Sequence, residues 1–223
     1  DDDIVPQILK AGGMKVTGSL GASYKHKQLV QYASSDWDFA LSRIDANGCA
    51  LVVYDEGIVL KSVKDMETAS KKIKIAFGID EIYDFEVEAS ASQQVEKVKG
   101  TAWDIKKQAL LPPKTSAAFD PGFGNLKGAD LAGKIKAQEV QLINSTDADE
   151  KEIQAWADAR MIKSRMSLFR GTIKLKGRAD VLPGDTVEIE GLGKRFKGKA
   201  LVSGIRHLVD RNGWATELQI GLS

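Results

Sequence analysis

The sequence holds one cysteine, two histidines and five prolines among 223 residues. A single Cys49 excludes an intrachain disulfide. It follows Gly48 and opens the apolar run Cys49-Ala50-Leu51-Val52-Val53, so it reads as a small buried residue and not as a reactive thiol. His26 and His207 lie in separate segments, and there is no H-x-x-x-H or C-x-x-C spacing. A zinc site would therefore need carboxylates from elsewhere and is not expected. No apolar run reaches the roughly 20 residues of a membrane-crossing helix, so no stable membrane insertion is expected. No signal peptide is visible, and the start Asp1-Asp2-Asp3, without methionine, reads as a piece of a longer protein. Neither sign of charge dominates: 32 basic and 31 acidic residues leave +1, which points to neither nucleic acid nor membrane. No serine elbow is present, and none of the many carboxylate pairs is singled out by its setting. No catalytic, cofactor-binding or metal-binding residue is assigned, no cofactor is expected, and the chain is not read as an enzyme.

What is present suits a globular chain, with 43% hydrophobic and 28% charged residues. Charge is divided unevenly along it. Residues 161–223 carry 12 Lys/Arg against 6 Asp/Glu, and residues 1–160 carry 20 against 25. That split suggests two modules or a charged contact surface.

Ile4, Val5, Ile8 and Leu9 fall at helical spacing before Gly12-Gly13. His26–Ala33 reads as a strand. Ser34-Ser35-Asp36 is a helix start, with Ser35 as N-cap and Asp38 three residues on, as in a capping box. Trp37, Leu41 and Ile44, flanked by Phe39, are expected to form the buried face of that helix, which Asn47-Gly48 ends. Cys49–Asp55 and Ile58–Val63 read as a hairpin around Glu56-Gly57, followed by strands at 72–77, 81–89 and 94–104. Leu110–Gly133, with Pro112-Pro113 and Pro121-Gly122, reads as a long exposed excursion where disorder is expected. A second helix is expected over Thr146–Ser164, capped by Thr146. After Met166 the text alternates polar and apolar in Thr172–Lys176, Thr186–Glu190 and Glu217–Ile220, with turns at Pro183-Gly184, Gly191–Gly193 and Asn212-Gly213. The expected fold class is α+β and β-rich: a small antiparallel β-barrel at the C-terminus, preceded by an α/β segment with a partial first barrel. The expected division is 1–105, a helix-hairpin segment with the partial barrel; 106–145, a Pro/Gly-rich loop region; and 146–223, a helix and the barrel.

Three motifs come close to ligand sites. Gly193 through Gly198-Lys199 fits the opening of a phosphate loop, but Ala200 stands where the magnesium-binding hydroxyl belongs. The following Ala200–Val209 is strand-like and cannot offer a helix N-terminus to a phosphate, so its glycines are read as turns and its lysines as solvated edge residues. Asp147-Ala148-Asp149-Glu150 lacks the later ligands of a calcium loop and suits the positive end of a helix dipole. Gly122–Gly128 misses a dinucleotide fingerprint by one residue. His207 reads as a packed or hydrogen-bonded barrel residue and not as a general base. Phe169, Phe196 and Trp214 are the sole aromatics after residue 160, few for an oligonucleotide-binding barrel.

Two stretches carry a family resemblance. Val30-Gln31-Tyr32-Ala33-Ser34-Ser35-Asp36-Trp37-Asp38-Phe39-Ala40-Leu41-Ser42-Arg43, continuing to Asn47-Gly48, resembles the QY-x-x-SDWDF-x-x-R signature of Vgr-type spike proteins and phage late control gene D (tail hub) proteins. Gly177–Asp185 with its Pro183-Gly184-Asp185, then Phe196–Val202 and Ile205-Arg206-His207, is similar to the second barrel of the same proteins, and Gly213–Leu218 to their closing strand. The resemblance implies a non-enzymatic baseplate hub of a contractile injection machine, of the type VI secretion or phage-tail kind. It implies a homotrimer that couples a hexameric tube to a spike, with two barrels per subunit giving a ring of roughly sixfold symmetry. Implied partners are copies of itself, the tube protein, spike/tip and baseplate proteins, and effectors, but not nucleic acid. The implied location is cytoplasmic during assembly and then outward with the particle, and the +6 of the barrel segment would serve subunit and tube contacts. Relative to the family, the chain begins partway through the first barrel and lacks the spike's β-helix. The alternatives are an oligonucleotide-binding barrel and a hub fused to a cell-wall hydrolase.

Overall fold

The computed structural model describes residues 1–222 except 27, 69, 146, 147 and 212. Along the chain run α1 (Ile4–Ala11), β1 (Val16–Gly18), α2 (Asp36–Ala46), β2 (Cys49–Tyr54), β3 (Gly57–Ser62) and α3 (Val63–Thr68). Then come β4 (Ser70–Ala76), β5 (Ile82–Ala89), β6 (Val98–Asp104), β7 (Ala109–Leu110), β8 (Lys114–Thr115) and α4 (Gly128–Lys134). The last are β9 (Val140–Asn144), α5 (Glu150–Met166), β10 (Phe169–Lys176), β11 (Thr186–Glu190), β12 (Gly198–Asp210) and β13 (Gly213–Ile220). The α+β, β-rich class expected from the sequence is the one observed. Residues fall into two compact units, each built from three stretches: 1–64, 95–118 and 138–162 in the first, 65–94, 119–137 and 163–223 in the second.

In the first unit, α1 buries Val5 and Leu9 and is closed by Gly13, whose φ of 82° suits a residue without a Cβ. Ser35 caps α2: its Oγ accepts the Asp38 backbone N–H at 3.1 Å. Asp38 does not complete the expected box, because its carboxylate takes the Ser35 hydroxyl proton instead, at 2.7 Å. The buried face of α2 also differs from expectation. Ala40 and Ile44 are buried with Val5, Leu9, Leu20 and Leu60, whereas Trp37 is 41% and Leu41 36% exposed. The helix lies on α1 through its smaller side chain, which lets the backbones approach and turns the indole outward. Gly48 ends the helix at φ 64° and leads into the β2–β3 hairpin; β1 pairs in parallel with β3. His26–Ala33 forms no strand among its described residues.

A second sheet of this unit centres on β6, which pairs in parallel with β9 and antiparallel with the short β7 and β8. α5 packs on it through Ile153, Ala157 and Met161. Gly100 makes room: a Cβ there would sit 2.6 Å from Ile153 Cγ2. α5 starts later than expected, at Glu150, where Asp149 Oδ1 accepts the Lys151 N–H at 2.8 Å. The expected cap Thr146 lies outside the described residues, as do Asp147 of the calcium-like stretch and Asn212 of the hairpin turn.

The second unit is a six-stranded sheet, order β4-β11-β12-β13-β10-β5, curled into a half-barrel. Adjacent pairs are antiparallel except β4 with β11. Ile75, Ile173, Val187, Ile189, Val202 and Leu218 face its interior with no measurable exposure, while Lys174 and Glu188 between them point away. The last sixty residues therefore do not close a cylinder by themselves: β4 and β5, from residues 70–89, form the sheet's ends. The expected excursion at 110–133 is also revised. Phe123 is 5% exposed and stacks edge-on against Phe169 at 5.0 Å, and Leu131 of α4 packs on the same core. Its glycines permit this approach; a Cβ on Gly124 would meet Phe169 Cζ at 2.7 Å.

Candidate functional site

The densest polar cluster lies in the first unit and joins residues far apart in the chain. Arg43, in the last turn of α2, donates from Nε to Asp1 Oδ1 at 2.9 Å and from Nη2 to Oδ2 at 2.8 Å. Asn47, one turn on, donates to the same carboxylate at 2.8 Å, and the Tyr24 hydroxyl lies 2.8 Å from it. His26 presents Nε2 to Asp1 Oδ1 at 2.9 Å and Nδ1 to Glu152 Oε1, in the first turn of α5, at 3.3 Å. The Asp1 side chain is fully buried. Burial holds the His26 pKa below its ordinary value, Glu152 opposing and Arg43 reinforcing the shift. Burial likewise pushes the Tyr24 phenol up.

Fold geometry thus supplies the carboxylates that His26 lacked in sequence. Among the described residues they do not assemble into a metal-holding group, and a cation already lies between them: Arg43 Nη2 is 2.8 Å from Asp1 and 3.4 Å from Glu152. The arrangement suits a fixed ion-pair network that ties the segment around Tyr24 and His26 to α2 and α5. Arg43 and Glu152 were not singled out by sequence reasoning. Their meeting spans 109 residues, and its one trace was that Arg43 ends the Gln31–Arg43 signature. Beside the network lies a pocket of ≈ 350 Å³, walled by Tyr24, Arg43, Ile143, Asn144, Glu152 and Trp156.

The remaining sequence candidates occupy the second unit. Gly193 has φ 71° and leads into a short 3-10 turn at Lys194–Phe196; Lys199 lies on β12 with no helix after it. β12 is interior to the sheet, so the expectation of an edge position for Lys199 is corrected, although its side chain is exposed. Gly198 is where the Gly122–Gly128 stretch crosses, since a Cβ on it would lie 2.4 Å from the Gly122 carbonyl oxygen. These glycines serve close packing. His207 Nδ1 is 3.0 Å from Thr216 Oγ1 and 3.3 Å from Trp214 Nε1. Phe169 is buried and Phe196 packs on the core, so the three late aromatics form no stacking platform. The Pro183-Gly184 turn is as read: Asp185 N–H donates to Leu182 O at 3.1 Å, with Gly184 at φ 81°.

The Gln31–Arg43 signature has a structural and an exposed part. Gln31 Nε2 donates to Ser34 O and Asp36 Oδ1, each at 2.9 Å, ordering the approach to α2. Val30 (63%), Tyr32 (87%) and Trp37 stand out of the unit as exposed apolar side chains.

A family model described as the Alg8 N-terminal domain matches residues 1–211. The chain belongs to that family. No curated protein matches the sequence. Among solved structures, the tail protein from Neisseria meningitidis MC58 is 15% identical with a TM-score of 0.67, covering 100% of this chain and 66% of its own. The prophage MuSo2 43 kDa tail protein from Shewanella oneidensis is 13% identical with a TM-score of 0.67, covering 98% and 63%. A chain in the virion of a native gene transfer agent particle is 14% identical with a TM-score of 0.60, covering 100% and 47%. At these identities the likeness is one of fold. The chain spans less than two thirds of the length of each of these solved proteins.

Proposed function

We propose that this chain is a structural baseplate component of a contractile injection particle, a hub of the Vgr-type or late control gene D kind. Three copies would form the ring that joins a hexameric tube to a spike. The observation that carries this reading is fold likeness over 98–100% of the chain to two tail proteins, one of them from a prophage, and to a chain of a gene transfer agent virion. The sequence signatures support it, since the Gln31–Arg43 stretch builds the cap and helix α2, and Pro183-Gly184-Asp185 builds the turn before β11. So does the surface. Tyr32 and Trp37 project from the signature itself, as aromatic anchors of a protein contact would. The most prominent polar cluster is an ion-pair network that ties segments of the fold together, which fits a part built for assembly and not for turnover. On this reading the particle is put together in the cytoplasm from this protein, tube, spike and baseplate proteins, and is then delivered outward.

Sedimentation equilibrium tests the reading. The protein carrying this chain is expected as a trimer, and changing Tyr32 and Trp37 together to serine should shift it toward monomer without unfolding it. A monomer that retains single-stranded DNA at moderate salt would replace the hub reading with a nucleic-acid one.

A further inference from the structure

The pocket beside the ion-pair network has a chemistry that the network leaves unused. Glu152 spends Oε1 on His26 and Arg43; among the described residues its Oε2 has no partner. Arg43 commits Nε and Nη2 to Asp1. The Trp156 indole and Ile143, 58% exposed, form the apolar side. Arg43 and Glu152 are the charged groups in the pocket wall, and the bidentate contact with Asp1 matches the Arg43 charge, which leaves the Glu152 carboxylate facing the pocket. The pocket, of ≈ 350 Å³, has room for one long side chain beside that carboxylate.

We propose that this pocket receives the cationic side chain, arginine or lysine, of an adjoining protein subunit. The head group donates to Glu152 Oε2 and lies against the Trp156 ring, where cation and π-face attract each other. The alkyl stem covers Ile143 and Ala46. Arg43 does not repel the guest strongly, because its charge is already matched bidentately by Asp1. An anionic side chain would meet the Glu152 carboxylate. That a protein supplies the cation rests on the particle-component reading; the preference of the pocket for a cation does not.

The test uses the indole N–H signals of the four tryptophans, with Trp156 assigned from a Trp156→Phe variant. N-acetyl-arginine methylamide should move the Trp156 signal with half-saturation in about the millimolar range, as expected for one partly exposed ion pair and one ring contact. The glutamate counterpart should leave it in place. Glu152→Gln should weaken the arginine probe by about tenfold or more. Ile143→Lys, which sets a tethered cation at the exposed rim and disturbs no buried contact, should do the same if Glu152→Gln proves unstable. A Trp156 signal unmoved at about 50 mM arginine probe, or moved equally by glutamate, overturns the proposal. So does unchanged affinity in both variants. A trimer that persists alongside such a result would sink this pocket and leave the hub reading standing.

Discussion

Ile44 and Trp37 sit on the same helix but in different surroundings. Ile44 is 2% exposed among Val5, Leu9 and Leu60, so Ile44→Ala should cost about 2–5 kcal/mol in urea denaturation, the range for a truncated core aliphatic. Trp37→Ala should cost about 1 kcal/mol or less, since nearly half of the indole is already in water. The reverse order would mean that α2 is turned to the wrong face. His26 carries the pH dependence. Its folded pKa lies below the unfolded value, so the unfolded chain binds the extra proton first. Stability from this group is complete above about pH 6.5 and is lost as pH falls toward the folded pKa. The urea midpoint of the protein should drop across that window, and His26→Gln should flatten that part of the curve. An unchanged slope in the variant would remove His26 from the account.

At the scale of elements, the caps show what short-range chemistry decides. Ser35→Ala should destabilise by about 0.5–2 kcal/mol and speed hydrogen exchange at the Asp38 amide, whose cap bond is lost. Exchange left as slow as in the parent would assign that amide another acceptor. The same local logic made the hairpin of β2 and β3 and the strands β10, β11 and β13 legible in sequence, because period-two alternation records a sheet with one dry face. It could not reveal that β4 joins β11 in parallel, since no turn links them and the contact spans more than a hundred residues. Nor could it reveal that Phe123 enters the core. A Pro/Gly-rich stretch reads as a loop whether its glycines serve turns or, as at Gly124, tight approach to an aromatic ring. The Asp1–His26–Arg43–Glu152 network was illegible for a related reason: its members lie on four separate segments and share no spacing.

For the whole molecule, the chain is two interleaved units, each completed by segments from three places in the sequence. Composition could bound this arrangement but not trace it. The +6 of residues 161–223 falls on the end of α5, on β10 to β13 and on the segments that join and follow them, whereas residues 65–94, which carry β4 and β5 at the ends of the same half-barrel, hold 3 Lys/Arg against 7 Asp/Glu, so opposite charges are set on different strands of one sheet. The proposed function comes down to one claim, that the protein is a part of a particle and acts by fitting against neighbours; the fold likeness and the exposed aromatics of the signature support it. Cryo-electron microscopy of particles purified from the producing cells measures this directly. The account predicts density for this chain in three symmetry-related copies at the baseplate, between the end of the tube and the spike. Intact particles with no such density, with the protein found free in the soluble fraction, would contradict it.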